Sequence, residues 1–120
     1  MPIVLVIEDE AIVRQSIADV LEHTGYTVLS YPDAEPALEE VDFESVDLII
    51  TDLAMPTRGE EAIYTLRSSG VDVPIIILSG MVKDRDDIPL QAIGANRILA
   101  KPFDIKILLD TVRELLPSPT

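Results

Sequence analysis

Aliphatic side chains gather in five short runs along the chain, Ile3–Ile7, Thr27–Ser30, Val46–Thr51, Pro74–Ser79 and Arg97–Ala100. The first, third and fourth runs are almost continuous in Val, Ile and Leu. This is the pattern of strands covered on both faces, as in a parallel sheet. Between the runs the apolar positions return at helical spacing. Ile12, Val13, Ile17, Val20 and Leu21 form one such stripe, and Gly25 stands where a C-terminal cap belongs. Asp33–Val41 predicts a shorter helix capped by Asp33, with Pro36 tolerable in the first turn. Glu60–Ser69 predicts a third, ending at Gly70. A last helix follows Phe103, with Asp104 as its cap and Ile105, Leu108, Leu109, Val112, Leu115 and Leu116 on one face. In KDRDDIPLQAIGAN, Pro89 limits the fourth helix to a short piece that begins near Asp86–Ile88 and ends at Gly94.

Strand and helix therefore alternate five times. This predicts an α/β, doubly wound (βα)5 fold, a five-stranded parallel sheet with helices on both faces. Such sheets take ligands just beyond the carboxyl ends of their strands. The chain puts Glu8, Asp9 and Glu10 after the first strand, Asp52 after the third, Ser79-Gly80 after the fourth and Lys101-Pro102 after the fifth. Each has an ordinary explanation alone: a turn, a helix end favoured by an acid, a surface lysine. Together, like-charged acids on one edge repel and call for a cation. Oxygen donors with few dedicated protein contacts suit Mg²⁺ shared with a phosphoryl group, with Mn²⁺ as a substitute. The chemistry such a set supports is phosphoryl transfer to a carboxylate, where positioning and charge neutralisation matter most. Lys101 would supply charge and the Ser79 hydroxyl a hydrogen bond. No glycine-rich nucleotide loop is present, which argues against a donor bound as ATP.

Composition narrows the partners. The chain has 120 residues, 22 acidic against 9 Lys and Arg, and a net charge of −13. This disfavours direct binding to nucleic acid or anionic lipid. Without cysteine, thiol catalysis and cysteine metal sites are excluded. No apolar run approaches the ~20 residues of a membrane span, and MPIVLVIEDE lacks the basic start of a signal peptide. A cytoplasmic protein is the expectation. Residues 1–116 read as one domain and 117–120 as a tail or linker start. His23 reads as a surface residue near a helix end, and the acidic run Glu39–Glu44 as a solvated one.

The motifs VLVIEDE, TDLAMP, ILSG and ILAKPF, in this order, resemble the receiver domain of two-component response regulators from Ile3 to about Leu116. The resemblance implies a flavodoxin-like sheet in the order 2-1-3-4-5. It implies Asp52 as phosphoacceptor, with Glu8, Asp9, Asp52 and the Ala54 carbonyl holding Mg²⁺. Ser79 would be the switch hydroxyl, Lys101 the lysine that faces the phosphoryl group, and the Lys101–Pro102 peptide cis. The donor would be a histidine kinase or a histidine phosphotransfer protein. The chain would catalyse its own phosphorylation and dephosphorylation as a signalling switch, not as a turnover enzyme. EDEAIVRQSIADVLEHTGYTV looks closer to receivers of hybrid kinases. Homodimerisation would use the face of the fourth helix, fifth strand and last helix, and the output partner is unknown.

Three features depart from the family. Ile98 stands at the usual aromatic switch position, the loop after Met55-Pro56 is one residue shorter, and Pro89 interrupts the fourth helix. Ala54 and Met81 occupy places that tune attack by water, and neither side chain holds a water strongly, which predicts slow self-dephosphorylation. The rival reading is a receiver-like interaction module that never carries phosphate, though such modules usually lack the acceptor, the lysine or the acids. A haloacid-dehalogenase-type phosphatase would need an acid where Ala54 stands, and flavin binding would be opposed by the acidic edge.

Overall fold

The computed structural model describes residues 2–52, 59–79, 96–100 and 103–116. Five parallel strands, β1 (Ile3–Ile7), β2 (Thr27–Tyr31), β3 (Leu48–Asp52), β4 (Ile75–Ser79) and β5 (Arg97–Ala100), form one sheet in the order β2-β1-β3-β4-β5. The helices are α1 (Ala11–Thr24), α2 (Ala34–Glu40), α3 (Gly59–Ser68) and a C-terminal helix (Ile105–Leu115). This is the flavodoxin-like arrangement expected. The fourth helix expected at 86–94 lies outside the described residues, as do the loop after Met55-Pro56, the Lys101–Pro102 peptide and the tail 117–120.

Strict alternation along the strands divides the core in two. Val4, Val6, Leu48, Ile50, Ile76 and Leu78 join Ile17 and Leu21 of α1 and Leu108 and Val112 of the C-terminal helix. Leu5, Ile7, Ile49, Ile75 and Ile77 pack on the other face with Ala34 and Ala37 of α2 and Ile63 and Leu66 of α3. A strand residue therefore changes layer with every step, and both layers need aliphatic side chains. Each fully buried one contributes roughly 1.5–3 kcal/mol.

The helix ends follow from local chemistry. Asp33 accepts a hydrogen bond from the backbone N–H of Ala34 at 2.8 Å, and Asp104 accepts one from Lys106 at 2.8 Å, so both caps are as read. Gly25 closes α1 in the left-handed region (φ 115°), where its N–H donates to the carbonyls of Leu21 and Glu22. The apolar face of the C-terminal helix is narrower than its spacing implied. Leu108, Val112 and Leu116 are buried, but Ile105 is exposed in the first turn.

β3 starts at Leu48, two residues later than expected. Residues 42–46 instead form a turn, with the N–H groups of Ser45 and Val46 donating to the carbonyls of Asp42 and Phe43. Asp47 then spends its side chain on the sheet: Oδ2 accepts the N–H of Ile3 at 2.8 Å, and the Asp47 N–H donates to the Ile3 carbonyl. Asn96 does the same for β4 and β5. Its Oδ1 accepts from the Ile75 N–H at 3.0 Å and from Arg67 at 3.3 Å, while its N–H donates to the Ile75 carbonyl. Arg67 also donates to the Val71 carbonyl at 3.0 Å. Burial pushes the Arg67 guanidinium below its ordinary pKa, and neighbouring Asp72 opposes that shift.

Candidate functional site

At the carboxyl edge β1 does not stop cleanly at Ile7. The Glu8 N–H donates to the Tyr31 carbonyl at 3.0 Å, so the ladder with β2 runs one bond further and fixes Glu8 at the rim. Its side chain turns back, and Oε1 accepts the Glu10 N–H at 3.2 Å. That bond tightens the turn that starts α1. Glu10 occupies the N-cap position with an extended backbone and no capping bond from its own side chain. The helix-end role considered for Asp9 or Glu10 is thus met by Glu10's position alone.

Asp52 is the last residue of β3, opposite Leu78 of β4. It is 2% exposed, and Glu8 is fully buried, whereas Asp9 and Glu10 are exposed. One carboxylate oxygen from each of these four residues lies within 4.8 Å of the others. Two buried and two solvent-facing acids thus share one pocket. Placing several carboxylates so close is costly unless positive charge is brought to them.

The sequence reading missed one residue, Arg14. It sits in the first full turn of α1, and its Nη1 donates to the Glu8 carbonyl at 2.7 Å. It therefore ties the helix to the strand end that carries the acids. Its spacing from Glu10 marks a shared helix face, but a bond to a backbone carbonyl leaves no signal in the residue pattern.

The other expected site residues are placed only in part. Ser79 ends β4 opposite Ala100, the last residue of β5. The Ser79 side chain, Ala54, Met81 and Lys101 lie outside the described residues. Ile98 is partly buried against the α2 and α3 layer and pairs with Ile77 across the ladder.

A donor set of four hard oxygens at the carboxyl edge of a 2-1-3-4-5 sheet agrees with what comparison with known proteins finds. Residues 4–113 match the family described as the response regulator receiver domain. The chain belongs to that family. Among its relatives is the alkaline phosphatase synthesis transcriptional regulatory protein SphR of Synechococcus elongatus, 36% identical over 123 residues, covering 94% of this chain and 48% of that protein. The chain spans about half the length of the curated relatives it matches. The chemotaxis response regulator CheY4 of Vibrio cholerae is similar in structure, with a TM-score of 0.85 and 30% identity over 97% of this chain and 99% of that one. So is the response regulator TrrA of Thermotoga maritima, solved in complex with Mg²⁺-BeF, with a TM-score of 0.83 and 30% identity over 97% of this chain and all of that one. Receiver domains serve two-component signalling, in which histidine kinases supply phosphoryl groups to response regulators, and they typically bind Mg²⁺ in an acidic pocket. Among the described residues, no helix is long and apolar enough to cross a membrane.

Proposed function

We propose that this receiver domain takes a phosphoryl group from a phosphohistidine donor onto Asp52 and conveys the change to a partner. The supporting observation is a buried Asp52 at a strand end with its oxygens among those of Glu8, Asp9 and Glu10. An Asp52 carboxylate oxygen attacks phosphorus in line. The new P–O bond forms as the donor's N–P bond breaks, and the electron pair stays on the imidazole nitrogen, which takes a proton from solvent.

The donor set fits Mg²⁺, with Glu8, Asp9, Asp52 and the Ala54 carbonyl as its ligands and Mn²⁺ as a substitute. When bound, the ion neutralises charge on the carboxylates and the phosphoryl oxygens. Lys101, one residue beyond β5, adds positive charge from the other side, and the Ser79 hydroxyl donates to a phosphoryl oxygen. Arg14 keeps Glu8 in place through its carbonyl. Ile98 answers the change by repacking against its apolar neighbours, since it has no ring to rotate. The self-dephosphorylation expected beside Ala54 and Met81 is slow, and Ala54→Asn should speed decay of the acyl phosphate; an unchanged decay rate would count against this tuning.

The donor is read as a sensor kinase, hybrid or separate, or a phosphotransfer protein, and the setting as cytoplasmic. With its net charge of −13 the receiver makes no direct contact with nucleic acid. The test is to incubate the protein with acetyl phosphate and Mg²⁺ and weigh it beside Asp52→Asn. One phosphoryl mass on the wild type, lost without metal and in the variant, supports the reading. No adduct together with no binding of beryllofluoride makes the chain a phosphate-independent interaction module.

A further inference from the structure

The amino edge of the sheet carries a second concavity, remote from the acids of the carboxyl edge. It is an open-sided cleft of about 560 Å³ between the connection from α2 to β3 and the connection from α3 to β4. Val41, Phe43, Val46, Val71 and Val73 line it, and all but Val46 keep part of their apolar surface in contact with solvent. Phe43 is one of only two phenylalanines in the chain. Gly70 shapes one wall with a left-handed turn (φ 93°), and nothing lies within 4 Å of where its Cβ would stand.

Charge around this cleft is one-sided. Asp42, Glu44 and Asp72 stand exposed among its lining residues. From residue 33 to 47 the chain carries seven acids (Asp33, Glu35, Glu39, Glu40, Asp42, Glu44 and Asp47) and no Lys, Arg or His. The end of α2 that leads into the cleft is unusual within this molecule. α1, α3 and the C-terminal helix each carry a basic residue in the last turn, His23, Arg67 and Arg113. α2 has none, and ends instead with Glu39 and Glu40. Carboxylates there face the negative end of the helix dipole, which disfavours them in the isolated domain. The nearby cation Arg67 donates to the Val71 carbonyl and to Asn96 and also feels the charge of Asp72.

We propose that this cleft docks a basic segment of a partner protein, with arginine or lysine side chains set between aliphatic ones. The aliphatic groups cover the exposed faces of Phe43 and the valines. The cations meet Asp42, Glu44 and the end of α2. Charge complementarity selects this occupant: a second copy of the chain, a nucleic acid or an anionic lipid would each bring negative charge to a negative rim. The docking is independent of chemistry at Asp52.

The experiment is a titration of the ¹⁵N-labelled chain, without metal or phosphoryl donor, with a short peptide that alternates arginine and leucine. Amide shifts should concentrate at residues 41–46 and 69–73. Asp42→Asn with Glu44→Gln and Asp72→Asn should weaken binding roughly tenfold, as loss of several charge pairs does. Phe43→Ala should weaken it as well; its dispersed amide spectrum verifies the fold, and the charge variant is a check that leaves the core untouched. Shifts centred on Glu8, Asp9 and Glu10, or spread over the whole acidic surface, would overturn the proposal. So would equal affinity for a peptide with serine in place of leucine, or affinity indifferent to both variants, because either reduces the effect to diffuse attraction. Spermidine binding the same residues as tightly as the peptide would reassign the cleft to a small cation.

Discussion

The two edges of the sheet use the same side-chain chemistry for opposite purposes. At the amino edge, the side-chain oxygens of Asp47 and Asn96 are consumed by the fold. Asp47 satisfies the Ile3 N–H, and Asn96 satisfies the Ile75 N–H and receives Arg67. At the carboxyl edge, Glu8, Asp9, Glu10 and Asp52 gather oxygens within 4.8 Å of one another, two of them buried. The first arrangement lowers the energy of the isolated domain. The second crowds like charges together, a cost that a bound cation relieves. Helix polarity sharpens the contrast, because helix N-termini sit at the edge where the acids gather and C-termini at the other. In this domain the acids gathered around Asp52 and the fold-bracing side chains of Asp47 and Asn96 thus stand at opposite ends of one set of strands.

The largest effect that would break this comparison is on metal-dependent stability. A divalent cation that binds only the folded state adds about 2.7 kcal/mol at a hundredfold excess over its Kd. In urea unfolding, Mg²⁺ should give the wild type an increment of this kind. Glu8→Gln combined with Asp52→Asn should abolish it while making the metal-free domain more stable. If the double variant unfolds more easily without metal, the carboxyl-edge acids are structural and the contrast fails.

At the amino edge, Asn96→Leu removes an acceptor from a buried strand N–H and a partner from Arg67, and should cost about 1–3 kcal/mol. The Mg²⁺ increment should survive unchanged. Asn96→Asp keeps the acceptor and should cost less. A loss of the increment in Asn96→Leu would mean that the two edges are coupled through β4 and β5.

Much of this was legible in the residues. Val4-Leu5-Val6-Ile7 and Ile75-Ile76-Ile77-Leu78 leave no polar face, so these strands had to be covered on both sides, and β1, β4 and β5 run almost where the pattern placed them. Asp33 and Asp104 were readable as caps because an acid before a helical stripe has a specific partner, the free N–H of the first turn. β3 was misjudged at its start because Val46 is apolar and buried, yet it belongs to a turn; burial and strand pairing are separate properties, and the Val46 N–H donates to the Phe43 carbonyl of that turn instead of to a neighbouring strand. Ile105 failed as a core position for a related reason, since helical spacing gives direction but not whether a neighbour is there to cover it. At the site, the convergence of Glu8, Asp9 and Asp52 follows from strand order alone. Arg14 does not, because its role is a bond to a backbone carbonyl, which no residue pattern displays.

The helix caps test a smaller part of the same contrast. Asp33 and Asp104 are also acids at helix N-termini, but each holds a backbone N–H of its own helix. Asp104→Ala should cost about 1 kcal/mol. Its effect should be equal with and without Mg²⁺, and a metal-dependent cost would place Asp104 with the ligand-facing acids instead.

The smallest effect concerns the end of α2. Glu40 is the last residue of that helix and is exposed, with Glu39 beside it and no basic residue in the turn. Glu40→Lys replaces a charge that the helix dipole disfavours with one that it favours, and should stabilise the domain by about 0.3–1 kcal/mol at low ionic strength. The gain should shrink in added salt, since exposed charges are screened over roughly 10 Å at 0.1 M. At the other edge the same change, Glu10→Lys, puts a cation at a helix N-terminus and should destabilise α1 while lightening the crowding of acids around Asp52, so its net effect should be smaller than that of Glu40→Lys. Unfolding of both variants across a salt series decides the matter. Stabilisation by Glu40→Lys marks α2 as a helix whose last turn is held below its best sequence, as the proposed docking of a basic segment requires. A loss of stability would mean that Glu40 already has a favourable role within the domain, and the acidic end of α2 would then need no partner to explain it.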